Sequence, residues 1–181
     1  AMVDASVGGK TGVNHASGKN LIGAFHQPQA VLIDPDVLAT LPSREFRAGL
    51  AECIKHDIIR DGEGFARLER DLDSILTLDS NGLTRLVIHN VMIKVSVVEQ
   101  DPFEHNVRAH LNFGHTFGHA IEKATDYALL HGECVALGMV AATRLAESMG
   151  MIPPDEARRI ERLIARAGLP VSGLSVPTQK V

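Results

Sequence analysis

Residues 41–62 read LPSREFRAGLAECIKHDIIRDG. Apolar side chains recur through this run at the three-and-four spacing of a helix. Pro42-Ser43 and acidic Glu45 open it, and Asp61-Gly62 stops it. The same grammar continues downstream. A short helix is expected over residues 62–72, GEGFARLERDL, and a long apolar one over residues 79–101, DSNGLTRLVIHNVMIKVSVVEQD, ending near Asp101-Pro102. Residues 112–126, NFGHTFGHAIEKATD, form another, and residues 131–150, HGECVALGMVAATRLAESMG, are rich in small residues, so that helix can pack closely. In residues 153–170, PPDEARRIERLIARAGLP, two prolines open the helix, Asp155 and Glu156 complement its N-terminal dipole, and Gly168 and Pro170 close it. Upstream of Leu41 the pattern changes. Gly8, Gly9, Gly12, Gly18 and Gly23 punctuate the chain, and the one clean strand signal is AVLIDP, residues 30–35. The expected fold is mainly α: a multi-helical domain over residues 41–181, preceded by a glycine-rich, partly extended segment over residues 1–40. A lone strand cannot satisfy its own ladder, so the first 35 residues either pair internally or belong to a sheet outside this chain; the tail GLSVPTQKV has no structural ending, and both ends read as cut.

Composition narrows the class. The chain has 181 residues, 45% hydrophobic and 22% charged, which suits one domain or one domain with part of another and excludes long disorder. Its net charge of −4 supplies no global field to draw nucleic acid or an anionic membrane. Neither partner is expected, and any anion site must be built locally. No apolar run approaches the ~20 residues of a membrane span, and AMVDASVGGK lacks the basic start and apolar stretch of a signal peptide. Cys53 and Cys134 both sit in apolar, helix-like stretches and read as core thiols of a cytoplasmic protein. With no Trp and one Tyr, the core must be aliphatic. Five of the nine histidines fall within 27 residues, from His105 to His131, and that clustering points to chemistry.

His115 and His119 are four apart and share one helical face, with His131 opening the next helix. Imidazoles at this spacing with a third His or carboxylate can hold zinc. Any one of them taken singly is more commonly a helix-terminal or satisfied core residue. Glu52 lies in an apolar helical context, where a carboxylate is costly unless paired or on a metal; Lys55 and His56 stand at i+3 and i+4 as intrahelical partners. Lys94 lies on the stripe of Val87, Val91 and Val98, either snorkelling or reaching into an anion pocket. DASVGGKTG nearly matches a phosphate-binding P-loop, but Asp4 holds the place of the first glycine and no helix follows, which argues against a nucleoside triphosphatase. Backbone amides beside Gly8 and Gly9, with Lys10 and Lys19, could still bind a phosphate or a dinucleotide.

VDASVGGKTGVNHASGKNLIGAFHQP, LPSREFRAGLAECIKHD, LNFGHTFGHAIE and LHGECVALGMV, in this order and spacing, closely resemble the 3-dehydroquinate synthase family of sugar-phosphate cyclases. The resemblance covers nearly the whole chain. It implies a helical, metal-binding C-terminal domain joined through residues 1–40 to an α/β, Rossmann-like NAD domain, most of which lies outside this chain. It implies a phosphate-eliminating cyclase that uses NAD and zinc, or cobalt, to convert 3-deoxy-D-arabino-heptulosonate 7-phosphate to 3-dehydroquinate in the shikimate pathway. Family members are typically homodimers. By matched position, Glu52, His115 and His131 are zinc ligands, which leaves His119 off the metal. His119, Lys55 and Asp4 take catalytic positions. Lys10, Asn20, Lys94, Arg108 and Asn112 contact substrate, and Lys10, Lys19, Val37, Leu38, Ala39 and Thr40 touch NAD. The chain departs from the family in KVSVV, where KAEVV is common, and in DPFEHNVR, where a Glu-Arg-Glu-Gly-Gly-Leu-Arg-like run is common. A late phosphate-binding lysine of the family lies beyond Val181. The nearest rival reading is a sister cyclase of the 2-deoxy-scyllo-inosose synthase type, disfavoured by the retained Arg108 and Asn112; from another class, a non-catalytic helical zinc module remains. The 181-residue piece by itself is expected to be catalytically silent.

Overall fold

The computed structural model describes residues 2–16 and 18–173. An antiparallel hairpin, β1 (Lys10–His15) and β2 (Gly18–Phe25), comes first, then a 3-10 turn over Pro35–Thr40. Three helices follow: α1 (Ser43–Arg60), α2 (Gly62–Leu76) and α3 (Ser80–Gln100). A second 3-10 turn, Val107–Asn112, leads to α4 (His115–Ala124), α5 (His131–Ser148) and α6 (Pro154–Arg166). The helices thus fall where the apolar spacing put them, and α2 runs four residues past its expected end at Leu72, because Ile75 adds one more buried position to the row of Phe65, Leu68 and Leu72.

The expected strand over residues 30–35 is not formed. Those residues are irregular and run into the 3-10 turn, while the two real strands lie upstream, where glycines obscure the alternation. A strand needs a paired neighbour, and AVLIDP has none among the described residues; Leu32 is 98% exposed. The hairpin registers Lys10 with Phe25 and Gly12 with Gly23.

α1 is the central pillar. Residues 50–57 are buried without interruption, the pattern of a helix enclosed on all sides. α2, α3, α5 and α6 all pack against it. Phe46, Leu50 and Ile54 meet Leu68 and Leu72 of α2, Val135 and Met139 of α5, and Leu163 and Ile164 of α6 in one aliphatic core. Helix ends are satisfied locally. Asp61 accepts the Glu63 and Gly64 N–H groups, Asp79 accepts that of Gly82, and Arg47 donates to the Ala167 carbonyl at the end of α6.

α5 approaches its neighbours backbone to backbone. A Cβ at Gly132 would lie 1.9 Å from the Ala48 carbonyl oxygen on α1, and one at Gly138 would lie 1.9 Å from that of Gly114, just ahead of α4. Neither obstacle is a side chain that can swing away. Gly138→Ala should therefore force α4 and α5 apart at a cost of about 1–3 kcal/mol or more, lowering the thermal midpoint by ~2–4 °C per kcal/mol. A calorimetric midpoint equal to that of the parent would mean that this seam tolerates a methyl group.

Candidate metal centre and substrate pocket

The close approach of α5 to α1 and α4 brings three side chains together. Glu52 comes from the middle of α1, His115 opens α4 and His131 opens α5. His131 Nε2 lies 3.4 Å and His115 Nε2 3.6 Å from the same oxygen, Glu52 Oε1. That oxygen is buried and accepts no hydrogen bond from the described residues, while Oε2 pairs with the Lys55 ammonium. Each histidine is held through its other nitrogen: His131 Nδ1 is 3.0 Å from Glu122 Oε1, and His115 Nδ1 is 3.3 Å from the Phe113 carbonyl. A proton on each Nδ1 leaves both Nε2 lone pairs facing Glu52 Oε1. Two nitrogens converging on one carboxylate oxygen fit a borderline cation such as zinc once both Nε2 atoms are free of protons.

Three groups among the described residues place one donor atom each within 4.8 Å of the others: Glu52, His115 and His131; His119, Glu122 and His131; and Asp4, Glu52 and His56. None holds both His115 and His119, so the pairing read from i, i+4 spacing is not the arrangement formed. The two rings lie edge to face with centroids 5.4 Å apart, and His119 stands at the exposed rim, stacked 6.1 Å from His131. The Asp4 group suits a cation poorly, because the Lys94 ammonium already holds Asp4 and Lys55 holds Glu52.

Electrostatics follow from burial and crowding. Burial pushes the Glu52 carboxyl up, but His131, Lys55 and His115 together outweigh it and hold Glu52 below the usual carboxylate range. Burial and the Lys55 charge lower His115, which keeps its ring neutral and its lone pair available. Burial and the neighbouring Glu52 raise Asp4, and Lys94 and Lys55 overcome both so that it sits low. His56 is pushed down to about 4, first by burial and then by Lys55; its Nδ1 meets Asn90 Oδ1 at 3.0 Å rather than pairing with Glu52. Burial pushes the Cys53 thiol far up, in keeping with an inert core residue, and Cys134 is buried too.

The expected anion-binding residues form two groups. Lys94 is buried and donates to the Asp4 carboxylate at 2.6 Å, beside the Glu52 site. Lys10 pairs with Glu104, which also accepts from Asn112 at 3.0 Å. Glu104 escaped the sequence reading, and its only signal is its place between two expected substrate residues. Arg108 is 1% exposed and donates to the carbonyls of Gly8 at 2.7 Å and Pro102 at 2.6 Å, with Phe25 stacked against its guanidinium. Its Nε has no hydrogen-bond partner among the described residues. The side chains of Lys19 and Asn20 lie outside the described residues. Val37, Leu38, Ala39 and Thr40 lie in the first 3-10 turn, and Leu38 lines an open, mostly apolar cleft of about 580 Å³ shared with Asp4, Glu52 and His131.

The loop carrying Glu104 and Arg108 hangs on Asp101. Its carboxylate accepts the backbone N–H groups of His105, Asn106 and Arg108, and these overcome the effect of burial to lower it to about 2. A lowered acid pKa stabilises the fold above the unfolded value near 4 and loses that contribution as pH falls toward 2. Asp101→Asn should lower the denaturant midpoint at pH 7, and the gap from the parent should close between pH 4 and pH 2. A gap independent of pH would contradict this role.

Residues 49–181 match the 3-dehydroquinate synthase C-terminal family and residues 1–48 the 3-dehydroquinate synthase N-terminal family. The chain belongs to the 3-dehydroquinate synthase family. It is 57% identical to the 3-dehydroquinate synthase of Synechococcus sp. and 56% identical to that of Gloeobacter violaceus, in each case over 94% of this chain and 47% of the relative. The chain thus spans about half the length of the curated family members it matches. Among solved structures it resembles 2-epi-5-epi-valiolone synthase from Streptomyces hygroscopicus subsp. jinggangensis with NAD+ and Zn2+ bound, at TM-score 0.90 and 32% identity over 99% of this chain and 50% of that one. It also resembles 2-deoxy-scyllo-inosose synthase complexed with carbaglucose-6-phosphate, NAD+ and Co2+, at TM-score 0.85 and 31% identity over 96% of this chain and 48% of that one. Both structures match this chain over nearly its whole length, which agrees with the mainly helical fold read from the sequence. No helix among the described residues is long and apolar enough to cross a membrane.

Proposed function

We propose that this chain supplies the metal- and substrate-binding half of a cytoplasmic, homodimeric 3-dehydroquinate synthase. Its substrate would be 3-deoxy-D-arabino-heptulosonate 7-phosphate, and its products 3-dehydroquinate and phosphate. The observation that carries the reading is the convergence of Glu52, His115 and His131 on one buried, unpartnered carboxylate oxygen. The family and its NAD- and metal-bound neighbours give that convergence its chemical meaning. A sister-cyclase reading is weaker, since those structures stand at 31–32% identity and the 3-dehydroquinate synthases at up to 57%.

Bound at these sites, zinc supplies Lewis acidity to a substrate hydroxyl and NAD a reversible hydride acceptor. The chain's own residues do the rest. Glu52, His115 and His131 would hold the ion and leave a position open. Lys55 fixes Glu52 through Oε2 and so leaves Oε1 for the metal. His119, at the exposed rim beside both ligand imidazoles, is placed to move a proton between substrate and solvent. Lys94, on Asp4, presents a partly desolvated ammonium beside the metal group, where an anionic substrate gains most from it. Lys10 and Asn112, gathered by Glu104, would offer substrate a second polar group. Leu38 and its neighbours in the 3-10 turn offer the apolar side of the cleft to the cofactor.

Three outcomes can be told apart. Glu52→Ala should lose bound zinc, whereas His119→Ala should retain it; metal analysis showing parent-level zinc in Glu52→Ala removes Glu52 from the centre. In the full-length enzyme supplied with substrate, NAD and zinc, Lys94→Ala should cut phosphate release at least ~10-fold, about 1.4 kcal/mol, with metal content unchanged. Parent-like kinetics would leave Lys94 as a structural partner of Asp4. The 181-residue chain by itself should release no phosphate, because the first 3-10 turn alone cannot offset the entropy of ordering a dinucleotide.

A further inference from the structure

We infer that Glu122 is a positioning residue of the metal centre: its buried carboxylate holds the His131 ring so that Nε2 faces Glu52 Oε1. The inference rests on the metal reading above and goes beyond it, since neither the spacing of the histidines nor the family motif gave Glu122 a role. Glu122 is 4% exposed, on the last turns of α4, and its Oε1 lies 3.0 Å from His131 Nδ1. The ring's opposite nitrogen lies 3.4 Å from Glu52 Oε1. One imidazole therefore bridges two carboxylates, one at each nitrogen.

Glu122 has a task to perform here because the ring is weakly held otherwise. The His131 side chain is 46% exposed, so packing covers only about half of it. An imidazole at the first position of a helix can turn its ring over or move to another rotamer. A carboxylate at Nδ1 stops both, fixes the tautomer with its lone pair at Nε2, and makes that nitrogen a stronger donor to a cation. His115 achieves the same with a backbone carbonyl, which cannot move. The fold holds Glu122 in reach through the helix seam. A Cβ at Gly118, one turn before Glu122, would lie 3.1 Å from the Cys134 carbonyl oxygen, one turn after His131. The close packing of α4 on α5 thus sets the carboxylate-to-ring distance.

The same residues also form a second group. Glu122, His119 and His131 also place donor atoms within 4.8 Å of one another. There Glu122 would itself be a ligand, and His119 would matter as much as Glu122. The burial of Glu122, the exposure of His119 and the Nδ1 contact favour the positioning role.

The test is zinc affinity of the intact protein, measured by competition with a chromogenic chelator, for Glu122→Ala, Glu122→Gln, His119→Ala and Glu52→Ala. Far-ultraviolet circular dichroism of each metal-free protein reports folding. Glu122→Ala should weaken zinc binding about 10- to 100-fold. Glu122→Gln, which keeps an acceptor of the same reach without the charge, should fall between it and the parent. His119→Ala should bind as the parent does. If Glu122→Ala does not fold, the glutamine variant decides alone, and parent-like affinity there contradicts the inference. Parent-like affinity in both Glu122 variants, with binding lost in Glu52→Ala, overturns the role of Glu122 and leaves the metal centre standing. Parent-like affinity in Glu52→Ala as well overturns the metal centre itself. A loss in His119→Ala equal to that in Glu122→Ala makes Glu122 a ligand, and the positioning role falls.

Discussion

Two glycines on one helix govern where the chemistry sits. Gly132 lets the start of α5 rest against the α1 backbone at Ala48, and Gly138 lets the same helix rest against Gly114. The first contact lies one turn before Glu52 and beside His131. The second lies next to His115. A donor set drawn from three helices must be placed to within fractions of an ångström, and side-chain packing alone leaves more play than that. Backbone against backbone leaves almost none. The aliphatic core around α1 supplies the driving force for folding, and the glycine contacts turn it into position.

The site then gathers charge at low solvent exposure. Glu52, Lys55, His56, Lys94 and Arg108 are all buried, in a chain whose net charge is only −4. Burial of this kind is costly without partners, and nearly every group has one. Lys55 holds Glu52, Lys94 holds Asp4, Asn90 holds His56, and two carbonyls hold Arg108. The exceptions are informative: among the described residues, Glu52 Oε1, His56 Nε2 and Arg108 Nε are buried without a hydrogen-bond partner. The first is the atom on which the two histidines converge. Arg108 is expected at substrate, yet both of its terminal nitrogens hold the Gly8 and Pro102 carbonyls. Whatever it does for substrate, it also ties the glycine turn to the loop after α3.

The helices were legible because each carries its own periodicity and its own stop. α6 is bounded by prolines and a glycine, and α1 ends at Asp61-Gly62. Internal pairing ahead of α1 was one of two alternatives the sequence left open, but its place was not legible, because glycines at 12, 18 and 23 interrupt the alternation while AVLIDP, which has no strand partner among the described residues, reads as the better strand. The metal group was only partly legible from spacing. Helical periodicity sees one helix at a time, so it paired His115 with His119; it offered His131 as a third ligand and Glu52 as a carboxylate either paired or on a metal, and the family resemblance joined Glu52, His115 and His131 and left His119 off the ion. Glu122, Asn90, Asp101 and Glu104 were missed for a shared reason. Each is a common polar residue whose significance comes from a partner on another element or far along the loop, and no local pattern records that.

The central claim is that α1, α4 and α5 deliver one oxygen and two nitrogens to a single ion. Its most direct test is a crystal structure of the zinc-loaded protein, with anomalous diffraction measured at the zinc edge. One strong peak is expected about 2.0–2.2 Å from Glu52 Oε1, His115 Nε2 and His131 Nε2, with Lys55 still on Glu52 Oε2 and Glu122 still on His131 Nδ1. A peak bound instead by His119 and Glu122, or no ordered ion near Glu52, would contradict it.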